Sequence, residues 1–194
     1  MIRYSVMTLF LLLAAFVVQQ FLPAFTGFHH SRILLVQLVF LCCAVTVNQP
    51  TMLLLAFVGG LLWDAHSALG PSSGDPAVYV QAVESLRFGY SVVLFAMVGF
   101  LMQGIQPLFQ RGKWIFSAIL TGIAVWLYLA AEYAFINFVR GDFVFNQATF
   151  FFFFFIALFT MLLSPLIFWG LYWIAKSCGH TIYPEASRRK KRTQ

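Results

Sequence analysis

The sequence predicts an all-α integral membrane protein: a bundle of six transmembrane helices with both termini in the cytoplasm. Three observations carry that expectation. Of 194 residues, 61% are hydrophobic and only 9% charged, where soluble domains carry about 25% charged residues. The apolar residues fall into six blocks separated by polar or turn-forming stretches, and the short alternating segments of a membrane β-barrel do not occur. Lysine and arginine are also unevenly placed. With six spans and a cytoplasmic start, nine fall inside (Arg3, Arg111, Lys113, Lys176 and five in the tail) and three outside (Arg32, Arg87, Arg140), which is the bias that orients membrane proteins.

The first span, about 4–25, follows Arg3 as a signal peptide would. Its apolar run is too long for one, however, and no small-residue cleavage site follows, so the helix is read as retained. Pro23 and Gly27 close it. The second and third spans, about 33–47 and 52–64, are joined by a tight turn at Asn48-Gln49-Pro50. Both are short for a hydrocarbon core of about 30 Å, which takes about 20 helical residues. They must borrow flanking residues, stand in thin bilayer, or form a re-entrant pair.

The outer loop 65–87 is the one sizeable polar excursion before the tail. Within it Asp75-Pro76 has the form of an N-cap with proline at the first helical position. Val78, Ala82, Val83 and Leu86 then share one face, with Gln81, Glu84 and Arg87 on the other. That pattern predicts a short amphipathic helix on the membrane surface, or a docking element for another chain.

The fourth span, about 88–109, carries a stripe of Gly89, Ala96, Gly99 and Gln103. The fifth, about 114–138, aligns Ser117, Thr121, Ala124, Tyr128 and Glu132. The sixth, about 149–175, opens with phenylalanine from Phe150 to Phe155. Such a run has no sidedness and is expected to lie mostly in lipid. Ala157, Thr160 and Ser164 form its inward face, and Pro165 is expected to kink it. Residues 1–176 thus form one membrane domain, and 177–194 a basic cytoplasmic tail.

The third span carries the sharpest pattern. Ala56, Gly60 and Asp64 stack at intervals of four, with Gly59 and Trp63 beside them. Small residues at that spacing admit another helix closely in lipid. Asp64 is then either held at the membrane interface or aimed at a partner. Glu132 is the carboxylate set well within an apolar span, at an insertion cost of about 3 kcal/mol. It serves structure, a partner, or ion and proton handling. Ala56, Gly59, Gly60, Trp63, Asp64, Gly89, Ala96, Gly99 and Glu132 are therefore the helix-packing and partner-binding residues expected here.

Enzymatic readings find little support. His29, His30, His66 and His180 lie at helix ends, in the polar loop or in the tail, and none stands with a serine and a carboxylate in a catalytic arrangement. Gly74-Asp75 matches half of an intramembrane aspartyl motif, without a second aspartate in a span. There is no glycine-rich phosphate cradle and no metal-ligand cluster, so no cofactor is expected. Cys42, Cys43 and Cys178 are odd in number and two are adjacent, which disfavours a disulfide framework and marks them as packing residues. Arg188, Arg189, Lys190, Lys191 and Arg192 suit anionic lipid headgroups, at about 1 kcal/mol per charge, and lack the interleaved aromatics of a nucleic-acid surface.

The run Leu55-Ala-Phe-Val-Gly-Gly-Leu-Leu-Trp-Asp64, a following Leu69-Gly70 or Phe88-Gly89, and then Val98-Gly99-Phe100-Leu101 resemble the rod shape-determining protein MreD family. Gly60, Asp64, Gly89 and Gly99 match its pattern, and size, span number and basic tail fit as well. If Phe88-Gly89 is the counterpart, residues 65–87 are largely an insertion; if Leu69-Gly70 is, the insertion follows it. The resemblance implies a non-enzymatic protein of the bacterial inner membrane, binding MreC directly, with MreB, RodA and the elongation transpeptidase in the same assembly. In outline the chain is also similar to the six-helix substrate-binding S-component of energy-coupling-factor vitamin transporters, which would make Trp63, Asp64, Tyr79 and Glu132 ligand contacts.

Overall fold

A computed structural model describes residues 2–22, 33–69, 89–109, 114–140 and 147–179. These residues form six α-helices and no strand: α1 (Ile2–Phe21), α2 (Leu35–Thr46), α3 (Gln49–Leu69), α4 (Tyr90–Phe109), α5 (Trp114–Arg140) and α6 (Gln147–Ser177). Among them, segments of α1, α5 and α6 are long and apolar enough to cross a membrane, and α2, α3 and α4 hold shorter apolar segments.

The short second helix is the hub. It packs against each of the other five, and these close a ring around it in the order α1, α3, α4, α5, α6. Eleven of its twelve residues are buried. At 1.5 Å per residue α2 is only about 18 Å long, which would be too short among lipid tails. Walled by protein, it need not match the bilayer.

A helix walled by protein still leaves orphan amides and carbonyls at its ends, which call for partners. Neighbouring glutamines take that role. The Val36 N–H donates to Gln19 Oε1 of α1 at 2.8 Å. At the opposite end, Gln106 Nε2 of α4 donates to the Val45 carbonyl at 2.8 Å and Gln103 Nε2 to that of Val47 at 3.4 Å. Tyr4 of α1 donates to Thr46 Oγ1 at 2.9 Å, and Ser5 meets Thr51 at 3.1 Å.

These contacts also show that the helices alternate in direction. The start of α1 lies by the end of α2 and the start of α3, and the end of α3 by the start of α4. The end of α5 lies by the starts of α4 and α6.

Several expectations are corrected. The third helix spans Gln49–Leu69 instead of 52–64, and its 21 residues reach about 31 Å. The foreseen turn at Gln49-Pro50 is its first turn, where proline's missing N–H removes no helical bond. Residues 65–69 accordingly belong to this helix; the amphipathic helix foreseen beyond them, and the basic cluster Arg188–Arg192, lie outside the described residues. The phenylalanine run is sided, because a helix turns 100° per residue whatever its composition. Phe150, Phe151 and Phe154 are exposed while Phe153 is buried, set edge-on to Tyr133 at 5.6 Å between ring centres. The inward set of Ala157, Thr160 and Ser164 is buried as expected, and α6 continues as one helix through Pro165. Cys42 and Cys43 are free and buried in the core, and Cys178 is free and partly buried.

Candidate functional site

The crossing of α3 and α4 is built on Gly60. A Cβ at that position would lie 2.5 Å from Val92 Cα and 2.6 Å from its amide nitrogen, so α3 and α4 meet backbone to backbone there. Gly59 leaves room for the Phe95 ring, 3.1 Å from where its Cβ would be, and for Leu12 of α1 at 3.5 Å. Gly99 does the same for Met52 and for Phe40 of the hub, at 2.6 and 2.9 Å. Ala56 is fully buried, and Ala96 packs half-buried against the core. The small residues singled out in α3 and α4 therefore work as contact points within the bundle.

Gly89 differs from the stripe it was assigned to. It stands just before α4 with φ +106°, a left-handed conformation that costs other residues about 1–2 kcal/mol. That geometry delivers its N–H to Asp64 Oδ2 at 2.6 Å. Asp64 is 3% exposed, and its carboxylate caps the start of α4, where aligned peptide dipoles favour negative charge. Asp64, expected at the membrane interface or aimed at a partner, is instead engaged by the fold itself.

The neighbouring residue opens a second, polar group of contacts. The Trp63 side chain hydrogen-bonds Glu132 of α5. One turn earlier on α5, the Tyr128 hydroxyl lies against Ser91 of α4 and Gln37 of the hub, with the charges of Glu132 and Asp64 close by. Five side chains from four helices thus converge on one end of the bundle: Gln37, Asp64, Ser91, Tyr128 and Glu132. Tyr128, Ser91 and Gln37 are each no more than 2% exposed. Neither the Tyr128 hydroxyl nor either polar atom of the Gln37 amide completes a hydrogen bond. Set against family models, curated proteins and solved structures, the chain matches none.

Trp63, Asp64 and Glu132 are brought together, as a shared role requires, whereas Tyr79 lies outside the described residues. Gln37 and Ser91 were missed. The signal for Gln37 was present: it is the one carboxamide within an otherwise apolar segment from Ile33 to Val47, and a strongly polar side chain in a span is costly unless it is used. Ser91 carried no such mark. A separate groove of about 310 Å³ between α5 and α6, beside Gly122, Trp126, Phe154 and Met161, is lined by apolar and aromatic side chains and lies apart from the polar group.

Proposed function

We propose that this chain is a non-enzymatic scaffold of the bacterial cell-elongation complex, a six-span inner-membrane protein that binds MreC directly. MreB, RodA and the elongation transpeptidase share the assembly, so that the protein helps organise lateral peptidoglycan synthesis and cell shape. One observation carries this reading. The two halves of the MreD-like pattern, far apart in sequence, meet in space: Gly60 rests on Val92, Asp64 accepts the Gly89 N–H, and Gly99 seats Met52. Gly89 is thereby favoured as the pattern's second glycine. The alternating helix directions and the lysine and arginine bias support six crossings with cytoplasmic termini, and the basic tail then faces anionic headgroups.

The test is a pull-down from native membranes of the full chain and of Gly60→Leu. MreC is expected with the first and reduced with the second; undiminished capture by the variant sinks the proposal. A second reading, the S-component of an energy-coupling-factor transporter, is favoured by the convergence of Trp63, Asp64 and Glu132 at one end of the bundle. It predicts a small molecule in the purified protein, visible by mass spectrometry. It also predicts that a coupling membrane subunit and ATPases replace MreC in the pull-down.

A further inference from the structure

Within the polar group, the Gln37 amide and the Tyr128 hydroxyl complete no hydrogen bond between the helices. A buried amide or hydroxyl without a partner costs about 1–3 kcal/mol in proteins, and three such atoms occur here, Nε2 and Oε1 of Gln37 and the hydroxyl of Tyr128, on helices that the ring contacts Phe40–Phe95 and Phe95–Tyr128 hold together at this level. Leucine at Gln37 and phenylalanine at Tyr128 would fill the same space without that cost. Beside them stands Glu132, partly buried, its carboxylate touched by Trp63.

Every group that could act as a ligand here offers oxygen: the carboxylate of Glu132, the amide oxygen of Gln37 and the hydroxyls of Tyr128 and Ser91. An all-oxygen set suits a hard cation. Among the described residues no group of three or more His, Cys, Asp or Glu could hold a metal, so the set is too weakly charged for a typical divalent site. Asp64 is already committed to the Gly89 N–H. One carboxylate with neutral oxygens around it matches a single positive charge.

We propose that Gln37, Ser91, Tyr128 and Glu132 form a binding site for one sodium ion within the helix bundle. The ion would bridge α2, α4 and α5, and the amide, the hydroxyls and the carboxylate would turn their oxygens to it. The proposal stands whether or not MreC is the partner.

Radiolabelled sodium binding and thermal unfolding of the full detergent-purified chain test it, in sodium chloride against choline chloride at equal ionic strength. One saturable site is expected. At ten times the dissociation constant, sodium should raise the unfolding midpoint by roughly 3–6 °C. Gln37→Leu and Tyr128→Phe separate this site from a structural role. Each should lose the sodium response and yet unfold no lower than the parent chain in choline, because each removes a buried group with no partner. Glu132→Gln, which keeps the shape, should weaken sodium binding at least tenfold. Absence of saturable sodium binding by the parent chain overturns the proposal. So does sodium binding that survives undiminished in all three variants.

Discussion

At Gly60 the space for a side chain is occupied by the main chain of the neighbouring helix, and a main chain cannot rotate out of the way as a side-chain tip can. Even a methyl group, 2.5 Å from Val92 Cα, would have to push α3 and α4 apart. Overpacking of this kind costs about 1–3 kcal/mol and can exceed it. Gly60→Ala is therefore expected to lower the unfolding midpoint in detergent by several degrees. Gly104 provides the control, since nothing lies within 4 Å of where its Cβ would be. There Gly104→Ala should be neutral or stabilising by up to about 1 kcal/mol, as alanine is the better helix former. Equal losses at the two glycines would show that close approach is not what Gly60 provides.

The hub helix poses its problem at the level of the whole element. The residues of α2 are almost all buried, so the polar groups at its ends call for partners. Its termini are met by side chains that neighbouring helices bring: Gln19 at the start and Gln106 and Gln103 at the end. The two latter bonds differ in length, 2.8 against 3.4 Å, and attraction falls steeply over that range. Gln106→Leu should thus destabilise by about 1–3 kcal/mol, leaving the Val45 carbonyl unmatched, and Gln103→Leu by less. Thermal unfolding of the two variants side by side checks the order. The reverse order would mean that the Val45 bond is not the cap that matters.

Across the whole molecule, five helices ring one, and successive helices run in opposite directions. Under the proposed six crossings the chain returns to the side where it began, and the nine lysines and arginines assigned to that side would place it in the cytoplasm. Reporter enzymes active only in the cytoplasm, fused after Gln194 or before Met1, should both be active, and one placed after Arg140 should be silent. A silent reporter at either terminus would contradict six crossings. The same arrangement explains why the second segment looked too short in isolation: the ring of helices, and not the bilayer, is its surroundings.

Helical character, the six apolar helices and the inward face of α6 were legible in the sequence, because apolar runs and their 3.6-residue repeat are local properties of the chain. So was the crowding at Gly60 and Asp64, whose spacing lies within a single helix. Which helix would be central, that Gly89 would meet Asp64, and that Gln37 and Ser91 would join Tyr128 and Glu132 were decided only by the tertiary structure. These contacts join residues 25 or more positions apart, and periodicity says which face of a helix turns inward but not which partner waits there. In a dry interior the polar atoms must find one another across helices, so packing alone determines where the polar group assembles.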